Sequence, residues 1–208
     1  MKKLTLTFSA ISIIGLSSLL NAPSIFAQTR NATWTLGEMK FTPTGELDIR
    51  PSPTSSQDDF DYLVGNWVLD DKKLKSRLTN SNEWIEFKST VEMHKLLNGI
   101  GNIDTYKTTV DGKPFEGIAL RLFNPQTKLW SIYWVAGNVG VLDTPVVGSF
   151  EGNIGKFYAK EKYKGKDIIV VFVWDKTDPN NPIWSQAFSP DNGKTWEVNA
   201  TNTSHRAK

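Results

Sequence analysis

Along most of this chain apolar residues recur at every second position, the spacing of strands that bury one face, and turn-forming residues interrupt them at short intervals. The pattern predicts ten strands, over residues 66–75, 83–96, 100–110, 116–123, 128–136, 145–151, 155–163, 167–175, 183–188 and 195–203. Connectors such as Asp111-Gly112-Lys113, Lys164-Gly165-Lys166 and Asp191-Asn192-Gly193 suit antiparallel hairpins. Closing such a meander removes its exposed edges, so the expected fold is all-β: an up-and-down antiparallel barrel of about ten strands. One short helix is expected at residues 58–65, where acidic Asp58 and Asp59 precede apolar Phe60, Leu63 and Val64, and Gly65 supplies the stop.

The first 27 residues have a different character. Lys2 and Lys3 precede a largely apolar stretch from Leu4 to Leu20, and Ala27 provides a small residue at a cleavage position, the order of an export signal. The expected location is therefore the periplasm or the exterior, with no transmembrane anchor once residues 1–27 are removed. Residues 28–57 are polar, carry Pro43, Pro51 and Pro53, and keep no period, so they read as an extended arm or linker tethered loosely to the domain. Trp34 and Phe41 are the residues by which such an arm would lie against something. The barrel domain spans residues 58–204, and 205–208 form a tail.

Removing the signal takes two of the 24 basic residues and none of the 22 acidic ones, which leaves 22 of each. A neutral chain with no block of Lys and Arg lacks the field that nucleic acid or an anionic membrane would require. Cysteine is absent, which excludes disulfides, thiolate nucleophiles and Cys-ligated metals, and two histidines cannot assemble a multi-histidine site. No metal or cofactor is expected. Haem would need His94, which falls on a polar strand face, or His205, which falls in the tail. Eight Trp, eleven Phe and five Tyr supply large side chains for a core built without covalent staples.

Ser189-Pro190-Asp191-Asn192-Gly193-Lys194-Thr195-Trp196 matches an Asp box, a hairpin turn in which a carboxylate binds backbone N–H groups and a Trp anchors the return strand. It occurs once, so it signals a turn and not a repeating propeller. Phe60-Asp61-Tyr62-Leu63-Val64-Gly65-Asn66-Trp67 resembles the opening of lipocalin-like, or calycin, barrels, in which a short helix leads into a Gly-x-Trp strand. It is followed in order by Leu97-Asn98-Gly99, Leu120-Arg121-Leu122-Phe123-Asn124-Pro125, Trp130-Ser131-Ile132-Tyr133-Trp134, Pro145-Val146-Val147-Gly148 and Trp184-Ser185-Gln186-Ala187-Phe188. Over residues 58–204 this set is similar to a bacterial lipocalin-like family of domains of unknown function. The resemblance implies a calycin barrel and transfers no catalytic residue. Where members of that family more often carry Trp after Asn199, this chain has Ala200, a departure that bears on packing and pocket size at the last strand.

Alternation then selects residues for the barrel interior. On strand 155–163, Lys156, Lys160 and Lys162 share the wet face, which turns Glu161 inward between Ala159 and Tyr163. A buried carboxylate needs a partner, and Arg121 is the expected one if it turns inward on strand 116–123, which is apolar on both faces; its planar fork also suits a ligand carboxylate. Tyr133, Gln186 and Asn199 are the remaining polar candidates for orienting a ligand. Asn102 and Asp104, at alternate positions, read as turn residues or as groups at the barrel mouth. The function these features favour is a secreted barrel that binds a small, mainly apolar ligand carrying an acid group. The alternatives are a barrel enzyme with Glu161 or Asp104 as acid/base and Tyr133 or Arg121 stabilising charge, and a structural envelope module with a filled interior. No protein partner is indicated.

Overall fold

The computed structural model describes residues 34–208, so the signal assigned to residues 1–27 lies outside the described residues. Ten strands follow in order: β1 Gly65–Leu74, β2 Trp84–Leu96, β3 Gly101–Val110, β4 Lys113–Asn124, β5 Leu129–Ala136, β6 Val146–Glu151, β7 Ile154–Tyr163, β8 Lys166–Asp175, β9 Ile183–Ser189 and β10 Glu197–Arg206. Each strand pairs antiparallel with its sequence neighbours, and β1 pairs with β10 to close the barrel. Closure removes the end-strand edges, although β5 and β6 pair over only three residues and β6 covers β7 only as far as Tyr158. The hairpins form as their turn residues dictate. Asp111-Gly112 and Lys164-Gly165 are two-residue turns with positive φ throughout, the backbone that matches the twist of flanking strands.

Three expectations about the ends of the domain need correction. The helix expected at residues 58–65 is one 3-10 turn, Asp61–Leu63, because Gly65 already begins β1. The first half of the tail expected at 205–208 is strand: β10 runs to Arg206, and His205 is held by Asn181, 2.7 Å from its Nδ1. Most importantly, the arm is not a loose tether over its described part. Trp34 and Leu36 are buried against Val171, Val173 and Ala187 on the outer wall. Polar contacts extend that docking: Lys156 Nζ donates to the Thr35 carbonyl at 2.9 Å, and the Ser52 N–H donates to Ser149 Oγ at 2.9 Å. The physical reason lies in β8, whose run from Ile168 to Trp174 is apolar on both faces and needs an outer cover as well as a core.

The ends of the barrel differ. Residues 56–64 plug the end where β1 begins, with Phe60 inserted edge-on against Trp130 at 5.0 Å and Phe150 at 5.1 Å. Trp67 Nε1 donates to the Leu63 carbonyl at 2.7 Å, and the Arg206 guanidinium lies 3.9 Å over the Trp67 ring while donating to the carbonyls of Val64 and Tyr62. Burying Phe60, Trp67, Trp130, Phe150 and Phe157 together concentrates the apolar driving force at this plug. At the far end the β1–β2 loop folds over the rim. There the Leu78 N–H donates to the Glu197 carboxylate at 2.8 Å, and Arg77 lies over the Phe188 ring at 5.3 Å.

Candidate functional site

Between plug and rim lies a cavity of about 670 Å³. Its wall is mostly aromatic and aliphatic, including Met93, Ile132, Trp134, Val170, Phe172, Trp174 and Phe188. Small residues leave the room. Ala119 and Ala200 belong to the wall, and the short side chain of Ala200 leaves space at β10. Gly117 serves packing instead: a Cβ there would stand 2.3 Å from the ring of Trp134, which lies across it.

The expected inward residues divide into those the fold brings together and those it keeps apart. Arg121 and Glu161 both line the cavity, which alternation predicts for Glu161 and leaves open for Arg121, but they lie near opposite ends. Arg121 is three residues from the plug end of β4, while Glu161 is two residues from the rim end of β7. The expected Arg121–Glu161 pair is therefore replaced by another. Asp104 Oδ2 stands 2.6 Å from Arg121 Nη1, with both side chains almost fully buried, and the same nitrogen donates to Asn102 Oδ1 at 3.2 Å. Asn102 and Asp104 are thus interior strand residues, not turn formers. The Arg121 guanidinium also sits over the rings of Phe60 and Trp174, at 5.2 and 5.3 Å. Two buried donors there, Arg121 Nε and Trp174 Nε1, have no hydrogen-bond partner among the described residues.

Glu161 remains at the rim. Burial first and then repulsion from Asp143 push its carboxyl above the usual carboxylate range, and burial raises Asp143 as well. Gln186 lines the cavity and donates through Nε2 to Asn199 Oδ1 at 2.7 Å. Asn199 itself is fully buried at a register shift between Val198 and Ala200, a bulge that alternation alone does not reveal. Tyr133 is part of the cavity wall but alternates with inward Ile132 and Trp134, and its cross-strand partner is Leu120 on the outer face. It is therefore poorly placed to orient a ligand head.

A second polar cluster escaped the sequence reading. Asp71 on β1 accepts a short hydrogen bond from Ser89 Oγ of β2, and Asn202 Nδ2 of β10 approaches its other oxygen at 3.4 Å. Burial pushes the Asp71 carboxyl up, against hydrogen bonds from Ser89, Asn202 and Tyr106 that pull it down. Burial likewise raises the Tyr106 phenol to about 12. The signal in the sequence was Asp71 itself, which shares inward parity with Trp67 and Leu69.

Both imidazoles lie on the outer surface. His94 Nε2 stands 3.1 Å from Glu92 and His205 Nε2 3.2 Å from Asp70, and neither residue lines the cavity. The Asp box folds as its sequence requires: Asp191 accepts from the Thr195 N–H at 2.8 Å and from Ser189 Oγ at 2.9 Å, and Trp196 Nε1 donates to the Gly193 carbonyl. It is a turn on which the arm rests, because Met39 packs over Gly193. Among the described residues no helix is long and apolar enough to cross a membrane, and no group of three or more metal-ligating side chains occurs.

No protein-family model and no curated protein matches this sequence. Among solved structures, the chain is similar to an S-type phycobiliprotein lyase from Guillardia theta, with 10% identity over 75% of this chain and 94% of that one, at a TM-score of 0.49. The architecture itself is a closed, ten-stranded, up-and-down antiparallel barrel.

Proposed function

We propose that this protein is an exported binder, periplasmic or extracellular, that encloses a small, mainly apolar molecule in its barrel. The observation that carries the reading is the cavity of about 670 Å³, whose wall is predominantly apolar with a few converging polar groups. That combination is the usual anatomy of a small-molecule site, and a barrel serving only as a structural module would be filled by its own side chains. The basic start, apolar run and Ala27 of the first 27 residues support export.

The polar groups narrow the ligand. An acid group seeking Arg121 would have to displace Asp104, already 2.6 Å away in a buried pair, at the cost of stranding that carboxylate. The unpaired Arg121 Nε and Trp174 Nε1 better suit a neutral acceptor, such as a carbonyl oxygen. Native mass spectrometry of protein purified from its own source tests the reading. A small organic molecule retained in the folded protein and lost on denaturation is the expected result. Protein that flies only at the bare chain mass and takes up no apolar probe contradicts it.

A further inference from the structure

The Asp71 cluster differs in kind from the Arg121–Asp104 pair. Asp71 is buried and lines the cavity, yet among the described residues it makes no ion pair; its hydrogen bonds come from neutral groups, Ser89, Asn202 and Tyr106. The cations that share the cavity wall are engaged elsewhere: Lys73 is directed over the Phe87 ring at 5.4 Å, Lys72 pairs with Glu86 at 2.7 Å, and Arg77 lies over the Phe188 ring at 5.3 Å. β2 and β10 present only Ser89 and Asn202 as polar neighbours at this height, and on β3 the neighbouring Asp104 is committed to Arg121. An ionised carboxylate in an apolar cavity is costly, and it is relieved either by taking up a proton, the direction in which burial pushes Asp71, or by a countercharge. A second, independent observation falls beside it. Asn202 Oδ1 is buried without a donor, although its own amide nitrogen already serves Asp71. One carboxylate lacks a cation and one adjacent acceptor lacks an N–H, both on the wall of the same cavity.

From this juxtaposition we propose that Asp71 and Asn202 form the head-group subsite of the cavity and that it takes a protonated amine on an otherwise apolar ligand. The inference rests on the cavity being a binding site and names the chemistry that site selects. An ammonium group provides the missing charge for Asp71 and N–H donors for both residues, while the hydrocarbon body occupies the aromatic wall. A hydroxyl provides a donor without charge and binds less well. A carboxylate is repelled.

The test uses one ring system with four substituents: naphthylmethylamine, naphthylmethanol, methylnaphthalene and naphthoate, titrated near neutral pH against the full-length exported protein by calorimetry. Wild type should bind the amine about tenfold or more tightly than methylnaphthalene, with the alcohol between them and naphthoate weakest. Asp71→Asn, close to isosteric, should bring the amine down to the affinity of the alcohol and leave methylnaphthalene unchanged. Methylnaphthalene binding as tightly as the amine, or naphthoate binding best, overturns the amine subsite and leaves the cavity reading intact. An amine preference that survives in Asp71→Asn overturns the assignment to Asp71. Failure of all four to bind overturns the cavity reading and this inference with it. If Asp71→Asn does not fold, the wild-type series together with Asn202→Leu, which should weaken the amine selectively, still decides the matter.

Discussion

At the plugged end of the barrel, Arg121 and Asp104 face each other 2.6 Å apart under the rings of Phe60 and Trp174. Near the rim, Glu161 faces another acid, Asp143, and its carboxyl is pushed up by burial and by that repulsion. Both regions hold inward-pointing charged residues of the kind alternation identifies. They differ in height along the barrel axis, and height decides the outcome. At the plug Arg121 and Asp104 hold their charges by pairing, whereas near the rim Glu161 stands beside another acid and is pushed toward its neutral form. Which face a strand residue occupies is thus only half of its environment.

The sharpest way to break this comparison is to remove one member of the deep pair. Arg121→Leu should strand Asp104 and lower unfolding free energy by about 3–5 kcal/mol in urea titrations, with the Arg121→Leu/Asp104→Leu double variant losing less. Combining Arg121→Leu with Glu161→Gln should give additive effects, since the two sites are separated along the barrel. Strong coupling of Arg121 to Glu161 would restore the pair expected from sequence and refute the one described.

A smaller effect is expected on the outer wall, where Trp34 and Leu36 cover Val171 and Val173. Trp34→Ala should cost about 2–3 kcal/mol, below the usual range for a core Trp because the site lies under an arm and not within the barrel. A thermal melt unchanged by that substitution would make the arm the loose tether its composition suggests.

The smallest effect belongs to the rim. Because the folded state raises the Glu161 carboxyl, it holds that proton to a higher pH than the unfolded chain does. Between the two values the folded state binds more protons, so stability falls as pH rises through that window. Glu161→Gln removes this loss. The variant and wild type should melt alike at acidic pH, below both values, and the variant should melt slightly higher above the folded value. An equal gain at every pH would show that ionisation of Glu161 is not the cause.

Period-two patterning and turn dipeptides made all ten strands legible, because a half-buried strand must alternate and a two-residue hairpin must tolerate positive φ. The inward orientation of Glu161 is legible for the same reason, whereas strand 116–123 is apolar on both faces and leaves Arg121 open. Their partners were not legible, since pairing depends on the register of strands distant in sequence. Alternation leaves Asp104 open between a turn and the barrel mouth, and the buried position of Asn199 depends on a bulge that leaves no mark in the pattern. The docking of the arm did leave a mark. The unbroken apolar run of β8 announces a strand buried on both faces, which composition of the arm alone obscured.

The account stands or falls on whether the barrel interior is a place a molecule can occupy. Titrating the protein with methylnaphthalene while following tryptophan emission tests this directly, since Trp134, Trp174 and Trp184 line the cavity. Ala200→Trp, which fills it from β10, serves as the paired control. Saturable one-to-one binding to wild type, abolished in a variant that still shows a cooperative melt, is the predicted result. Absence of saturable binding, or binding that persists after the cavity is filled, would contradict the account.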